Sequence, residues 1–136
     1  MNNTRFSTAL HILTLLSTVE DDTYMSSDWI AGSIQVNPVI VRKEIAVLKK
    51  SGLVESQAGK EGGSKLALSA KKIKLSDVYN AIKNADLLGK KNQHPNPNCP
   101  IGKNINQQLS MLYDDAESKV LQFLGKKSLA DFRNSF

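Results

Sequence analysis

The chain has 136 residues, 40% of them hydrophobic, and a formal net charge of +5. This length suits one compact domain with an appended element, and the positive charge favours a polyanionic partner without defining a fold. The single cysteine excludes an intramolecular disulfide. The apolar run at residues 9–16 is too short to cross a bilayer, which needs about 20 residues, and no signal peptide is evident. We therefore expect a cytoplasmic protein.

The first predicted helix covers residues 5–19 and is apolar on more than one side. One stripe carries Phe6, Ala9, Leu10, Leu13 and Leu16, and two further apolar residues, Ile12 and Leu15, lie off it. A helix of this kind usually has more than one buried contact. We expect one face to close the core and another to meet the long C-terminal helix. His11, in the middle, is predicted to be a packed core or interface histidine.

A helix, a tight turn and a second helix follow. Ser26, Ser27 and Asp28 are good N-caps, and they precede apolar residues at helical spacing, which are Trp29, Ile30, Ala31 and Ile34. Residues 35–37 form the turn. Asn37 can cap the next helix, and Pro38 suits its first position because that N–H has no intrahelical partner. This second helix is predicted to run from Pro38 to about Lys50.

The two faces of the second helix differ in character. Val41, Ile45 and Leu48 have the spacing of an inward face. The outward face carries Val39, Ile40, Arg42, Lys43, Ala46 and Lys49. In helix-turn-helix proteins the second helix lies against base edges in the major groove. Arg42 is the best candidate reader, since a guanidinium spans guanine O6 and N7, and Val39 could pack on a thymine methyl.

A glycine-rich hairpin is predicted next. Residues 53–57 suit a strand, residues 59–63 its tip, and residues 65–68 the returning strand, with Leu66 and Leu68 inward. Glycines allow the backbone to approach a phosphate, and Lys60 and Lys65 add charge. An ordinary hairpin remains the alternative. The order of elements nevertheless favours a winged helix-turn-helix, a mainly α fold with a small β-hairpin wing. The candidate DNA-binding residues are Arg5, Ser26, Ser27, Asn37, Pro38, Val39, Arg42, Lys43, Lys60, Gly62, Gly63 and Lys65.

The C-terminal half is predicted to form a dimerisation element. A helix capped by Ser76 and Asp77 completes the winged domain, and residues 86–100, rich in proline and asparagine, form a linker. A long helix over residues 101–124 then carries an apolar stripe, which consists of Ile101, Ile105, Leu109, Leu112, Ala116, Val120 and Phe123. Such a helix would extend past a small domain, so pairing with a second subunit is preferred over folding back. The predicted divisions are residues 1–85, 86–100 and 101–136, the last ending in a short helix at residues 128–132.

Cys99 stands just before Pro100 at the start of the long helix. Backbone N–H groups and the helix dipole there would favour a thiolate. A reactive thiol that senses oxidants and an inert loop cysteine are both open readings. His94 and Cys99 alone do not make a zinc site, because zinc normally takes four ligands.

The same residues constrain the function class. The sequence has no nucleophile and base pair, no phosphate loop, no HExxH helix and no paired carboxylates in a plausible cleft, so an enzyme is not expected. The acidic residues 20–22 are read as a solvated turn. The preferred function is sequence-specific binding of double-stranded DNA by a homodimeric regulator, with no membrane association. The alternative is a winged-helix protein-interaction module without specific DNA binding, which steep salt dependence would exclude.

Taken together, these residues resemble the Rrf-two family of bacterial winged-helix transcription regulators over nearly the whole chain. The resemblance rests on Arg5-Phe6-Ser7 with Ala9-Leu10, on Ile30-Ala31, on residues 48–54 followed by Gly59 and Gly62-Gly63, on residues 75–78, and on Cys99-Pro100. It implies homodimers that cross through the long helix, bind operator DNA and often repress genes for iron-sulfur, nitrosative, sulfur-metabolism or oxidative responses.

The sequence departs from the family pattern at two places. Several members hold an iron-sulfur cluster with three closely spaced cysteines before the long helix, whereas this chain keeps only the last, Cys99. No cluster and no other cofactor is therefore expected, and any small-molecule effector is unknown. Family wings often carry an arginine before the first wing glycine, but Ala58 stands there. Lys60 is the candidate substitute, although an ammonium reads groove width less well than a guanidinium.

Overall fold

The computed structural model describes residues 3–136, so residues 1–2 of the predicted first domain lie outside the described part. Within that part the chain forms six helices and one hairpin. The elements are α1 (Arg5–Leu16), α2 (Ser27–Ile34), α3 (Pro38–Lys50), β1 (Val54–Gln57), β2 (Gly63–Leu66), α4 (Leu75–Ile82), α5 (Pro100–Leu124) and α6 (Leu129–Arg133). The predicted fold class, a mainly helical winged helix-turn-helix with a long C-terminal helix, is confirmed. None of the helices in residues 3–136 is long and apolar enough to cross a membrane.

Helix α1 is the centre of the core, because it is buried on several sides. Ile12, predicted to lie off the main stripe, is fully buried together with Leu13. The helix ends at Leu16, three residues earlier than predicted, where Ser17 and Thr18 turn their hydroxyls onto carbonyls of the preceding turn. The expectation that its second face meets the long helix is wrong. That face packs on α6, because the chain turns back after α5 and inserts the fully buried Leu129 into the core.

The helix-turn-helix forms as its caps predict. The Ser26 hydroxyl accepts a hydrogen bond from the Trp29 N–H at 3.1 Å, and the Asn37 side chain accepts one from the Val39 N–H at 2.9 Å. Between the two helices Gln35 adopts a left-handed conformation with φ of 61°. Of the apolar residues at helical spacing in α2, Trp29 is 58% exposed. Ile30, the next residue, occupies the buried position instead.

The wing is an antiparallel hairpin in which Val54 pairs with Leu66 and Ser56 with Ser64. Met25, just before α2, pairs with Ser64 through two backbone hydrogen bonds of 2.8 and 2.9 Å. This isolated bridge adds a third short extended segment beside the hairpin. The returning strand thus lies earlier in the chain than predicted. Leu66 packs against the core, but Leu68 lies beyond the strand and is exposed, so its predicted inward position is wrong.

Helices α4 and α5 connect the winged unit to the C-terminal half. Helix α4 begins at Leu75, one residue before the predicted cap, and the Lys74 N–H donates to the Asp77 carboxylate. Helix α5 spans 25 residues without a buried one and contacts the winged unit mainly through α4. The predicted short last helix is present as α6, capped by the Ser128 hydroxyl.

Candidate nucleic-acid interface

A concavity of about 450 Å³ lies where the start of α2, the outward face of α3 and the base of the wing meet. Its lining residues are Ser26, Ser27, Asp28, Arg42, Ile45, Ala46, Lys49, Ser56, Gln57, Gly59, Gly62, Gly63 and Ser64. Five of the twelve predicted DNA-binding residues are therefore brought together in one place. They are Ser26, Ser27, Arg42, Gly62 and Gly63.

The two faces of α3 are separated as the spacing predicts. Val41 and Leu48 are fully buried and Ile45 nearly so. The six outward residues are all exposed, and Val39 and Ile40 are each 46% exposed at the N-terminal end. Lys43 follows Arg42 on this exposed side. A basic helix with two apolar residues at its leading end can enter the major groove and touch both base edges and phosphates.

The start of α2 forms one wall of the concavity. Helix N-termini present free N–H groups and a positive dipole, which suit a phosphate. Asp28 also lines this wall, and within the described residues it has no ion-pair partner. Sequence reasoning treated Asp28 only as an alternative cap. The sequence signal for this position was that Ser26 caps α2, which leaves Asp28 in the first turn with its side chain free to face the concavity.

The wing glycines are required first by backbone packing. A Cβ on Gly62 would lie 2.2 Å from the Gln57 carbonyl oxygen, and one on Gly63, whose φ is +152°, would lie 2.2 Å from the Met25 carbonyl oxygen. Phosphate approach, the reason given from sequence, is therefore not needed to explain them. Gln57, at the end of β1, also lines the concavity and was not singled out from the sequence. The exposed Lys60 lies at the tip of the wing.

The other seven predicted DNA-binding residues do not line the concavity; they are Arg5, Asn37, Pro38, Val39, Lys43, Lys60 and Lys65. Two of them, Lys65 and Arg5, are engaged with carboxylates. The Lys65 ammonium lies 4.0 Å from carboxylate oxygens of Asp22 and Glu55 and 5.1 Å from the centre of the Tyr24 ring. It faces the acidic turn on the other side of the wing. The Arg5 Nε donates to the Glu44 carboxylate at 2.9 Å, which ties α1 to α3.

Cys99 is exposed and caps α5. Its Sγ accepts a hydrogen bond from the Gly102 N–H at 3.4 Å. Hydrogen bonds from the backbone N–H groups of Gly102 and Ile101 lower the pKa of the Cys99 thiol. The electrostatics predicted for this position are thus present. The donor set does not fit an iron-sulfur cluster, because Cys99 is the only thiol and residues 3–136 contain no group of three side chains able to hold a metal.

The outer face of α5 is apolar and exposed. Ile101, Leu112 and Phe123 are 71%, 57% and 58% exposed, and the predicted interface residues Ile105, Leu109, Ala116 and Val120 are half-buried. Met111, at 58% exposure, extends the same surface and was missed. Part of the opposite side is covered by the preceding linker, where the Asn106 side chain donates to the Asn92 carbonyl at 2.8 Å.

Comparisons with known proteins agree with this architecture. The chain is 38% identical over 134 residues to a Bacillus subtilis (strain 168) protein provisionally named HTH-type transcriptional regulator YwnA, and the match covers 98% of both. A crystal structure provisionally described as a DNA-binding protein superposes with a TM-score of 0.74 at 34% identity, covering 94% of this chain and 97% of that one. CymR, the global cysteine regulator of B. subtilis, shares the fold, with a TM-score of 0.70 at 19% identity over 100% and 98% of the two chains.

The family model Rrf2, described as an iron-dependent transcriptional regulator, matches residues 2–135. Its members and the curated relative are regulators, which confirms the prediction that the chain is not an enzyme. The chain belongs to the Rrf2 family of transcriptional regulators, the Rrf-two family that its sequence resembles.

Proposed function

We propose that this protein is a homodimeric repressor that recognises a specific operator in double-stranded DNA and works without an iron-sulfur cluster. The observation that carries the proposal is the concavity, in which the α2 N-terminus, the basic face of α3 and the wing base meet. Its shape and charge suit a DNA backbone passing between a major groove that α3 enters and a minor groove that the wing approaches.

Arg42 and Val39 are the proposed base readers. Arg42 lies inside the concavity and is exposed, so its guanidinium is free to pair with guanine O6 and N7. Val39 sits one residue after Pro38, at the end of α3 that enters the groove first. Lys43 and Lys60 are the proposed phosphate contacts, with Asn37 and Pro38 setting the start of the helix.

The outlying candidates Arg5 and Lys65 have smaller proposed roles. The Arg5 Nε donates a hydrogen bond to the Glu44 carboxylate, and the Arg5 side chain is 30% exposed. Its terminal amino groups are the part proposed to reach a phosphate. To contact a phosphate, the Lys65 ammonium has to leave Asp22 and Glu55. We therefore expect Lys65 to contribute less to DNA affinity than Arg5.

The experiment begins with selection of bound sequences from random duplexes, which yields an operator. Affinities for that operator and for a scrambled duplex are then measured by fluorescence anisotropy over a salt series. Arg42→Ala is expected to lose about 1–3 kcal/mol of discrimination between the two duplexes. Lys60→Ala is expected to weaken both alike and to reduce the salt slope by about one.

The matched control is Lys126→Ala, which removes one positive charge beyond the end of α5. It should leave discrimination and slope near those of the parent. Equal discrimination by parent and Arg42→Ala would remove Arg42 from the reading role. Absence of steep salt-dependent binding by the parent would instead favour the protein-interaction alternative.

Dimerisation through α5 is proposed because nothing in residues 3–136 covers its apolar face. At 1.5 Å per residue a helix of 25 residues is about 37 Å long, and α4 supports only part of it. A two-fold dimer would also place two α3 helices about one DNA turn apart. Leu112→Glu is expected to shift sedimentation equilibrium toward the monomer. A parent that is monomeric at micromolar concentration would contradict the dimer.

A thiol switch at Cys99 is the second candidate, favoured by the exposure and lowered pKa of the thiol. With hydrogen peroxide the thiolate sulfur forms a bond to one oxygen, the O–O bond breaks and hydroxide leaves, giving a sulfenic acid. That acid can condense with a second thiol, from a small molecule or from Cys99 of the partner subunit, releasing water. Operator affinity of the parent should change under peroxide and that of Cys99→Ser should not; equal responses would exclude Cys99 as sensor.

A further inference from the structure

The concavity holds one carboxylate among its positive charges. Of the described residues that line it, three carry a charge, which are Arg42 and Lys49 on α3 and Asp28 at the start of α2. A surface that receives a polyanion is expected to exclude carboxylates, because a carboxylate repels phosphates and is costly to desolvate. Capping does not require Asp28, since the Ser26 hydroxyl already caps α2. When DNA is bound, the Asp28 carboxylate therefore needs a positively charged partner.

The backbone that carries Asp28 is fixed from two sides. Met25 and Ser64 exchange backbone hydrogen bonds of 2.8 and 2.9 Å, which fasten the start of α2 to the wing. Ile30, two residues after Asp28, is fully buried in the core. The carboxylate thus stands on a rigid frame, which is what a group that orients another side chain requires.

Asp28 and Arg42 are both without an ion-pair partner in residues 3–136. Both are exposed, so water solvates them in the protein without DNA. When a duplex closes over the concavity, water leaves and the attraction between opposite charges strengthens. An unpaired carboxylate then becomes costly. Among the described lining residues, Arg42 and Lys49 are the only positive side chains that can relieve this cost.

The guanidinium of Arg42 suits this carboxylate better than the ammonium of Lys49 does. A guanidinium carries its N–H donors in a rigid planar fork, and a guanine occupies those on one edge through its O6 and N7. The donors on the other edge stay available to Asp28, so the guanidinium can bind the base and the carboxylate at the same time. An ammonium is a compact charge on a flexible stem, which suits a phosphate.

We propose that Asp28 is a positioning residue for Arg42 and thereby determines the specificity of DNA binding. When DNA binds, the Asp28 carboxylate accepts hydrogen bonds from the guanidinium and holds it in the plane of the guanine that Arg42 reads. Lys49 stays available for a phosphate. The inference rests on the function proposed above, and it assigns a specificity-determining residue to the first helix of the motif, outside α3.

The test is a double-mutant cycle on the full chain, with the selected operator, the scrambled duplex and the anisotropy assay described above. Asp28→Asn is expected to reduce discrimination between the two duplexes by about five- to tenfold, a coupling usual for residues in contact. In the Arg42→Ala background the same change should have no further effect, because the side chain that Asp28 positions is gone. Asp21→Asn, which removes an exposed carboxylate outside the concavity, should leave discrimination unchanged.

A positional readout separates the orientation of Arg42 from a general loss of structure. Each base pair of the operator is exchanged in turn, and the guanine that Arg42 reads is the position at which Arg42→Ala no longer discriminates. Asp28→Asn should lose preference at that position and keep it at the others, and Asp28→Glu, which keeps the charge, should retain part of it. Loss at every position, together with a lower melting temperature, would mean that Asp28 only stabilises the start of α2 through the helix dipole, and would overturn the proposal.

Other results would overturn the proposal for different reasons. Tighter binding of Asp28→Asn to both duplexes alike would show that the carboxylate acts by repelling phosphates. Coupling of Asp28 to Lys49 in a parallel cycle with Lys49→Ala, and none to Arg42, would assign Asp28 to a phosphate contact. A parent that discriminates, beside an Asp28→Asn variant that discriminates equally, would overturn this inference alone. A parent that binds no duplex at low salt would overturn the proposed function as well.

Discussion

The winged unit and the long helix α5 differ in where their apolar side chains lie: the winged unit buries them in a core, and α5 leaves them partly or largely exposed. In the winged unit α1 contacts α2, α3, α4 and α6, and side chains such as Ile12, Ile30 and Leu48 have no exposed surface. Helix α5, although longer than any other, buries none of its residues and leaves Ile101, Leu112 and Phe123 more than half exposed. One region is thus folded by its own chain, and the other carries an apolar face that only a further surface can cover.

Leu48→Ala gives the largest expected effect. Leu48 is fully buried on the inner face of α3, so the truncation removes contacts and leaves a cavity, with an expected loss of about 2–5 kcal/mol in the free energy of unfolding. Urea denaturation measures it. The matched variant Leu112→Ala, on the exposed face of α5, should cost far less at low protein concentration and more at high concentration, where a dimer would bury Leu112. Equal losses at every concentration would contradict the contrast between the regions.

Gly63→Ala should be the next largest, because the new Cβ would meet the Met25 carbonyl oxygen at 2.2 Å and φ is +152°. We expect a loss of about 1–3 kcal/mol together with faster amide exchange at Ser64, whose N–H bonds to Met25. Gly59→Ala is the control, since Gly59 also has positive φ but faces open space. If both variants behave alike, the backbone contact between Met25 and the wing does not stabilise the unit.

The features that local chemistry dictates could be predicted from the sequence. Asn37 and Pro38 place the start of α3 because capping and a missing N–H act within one turn. The buried face of α3 follows from the helical spacing of its apolar residues alone. Cys99 caps α5 for the same local reason, and its thiol has the lowered pKa expected there.

The features that depend on distant contacts could not be predicted. The burial of Ser64 rather than Leu68 follows from the bridge to Met25, which is 39 residues away along the chain. The cover of α1 by α6 instead of α5 depends on where the chain turns after residue 124. The engagement of Lys65 by Asp22 likewise joins segments that no periodicity connects. For the candidate site, the sequence indicated the helix face and missed Asp28 and Gln57 on the other two walls.

Gln35→Gly is expected to stabilise the winged unit modestly. Gln35 holds φ of 61° at the end of α2, a conformation that costs a residue with a Cβ and that glycine adopts freely. The gain should be about 0.5–1 kcal/mol, because the left-handed cost that is removed, about 1–2 kcal/mol, exceeds the extra backbone entropy that glycine loses on folding; it is read as a rise in melting temperature. Gln35→Ala, which keeps the Cβ, should bring no gain. A loss of stability in Gln35→Gly would mean that the side chain, and not the turn, is what stabilises this position.

The smallest expected effect lies at the junction of the two regions. The Tyr79 hydroxyl donates to Glu117 Oε2 at 3.1 Å, and the Lys83 ammonium lies 2.7 Å from Glu117 Oε1 and 2.5 Å from Oε2, which joins α4 and the segment after it to α5. The hydrogen bond with Lys83 lowers the pKa of Glu117 and raises that of Lys83. Burial, followed by the bond to Glu117, raises the pKa of Tyr79.

These directions fix the sign of the pH dependence. A lowered carboxyl pKa contributes stability that is present above the ordinary pKa of 4.5 and disappears as the pH falls through the folded-state value. The raised pKa values of Tyr79 and Lys83 contribute stability that is present below about pH 10 and disappears as the pH rises through their folded-state values. Glu117→Gln should therefore lower the melting temperature slightly at pH 7, by an amount that shrinks as the pH falls below 4.5, while Asp115→Asn, an exposed neighbour on α5, should leave the melting temperature unchanged. A difference between parent and Glu117→Gln that stays constant on acidification would mean that shape, rather than the charged pairing, holds α5 to the winged unit.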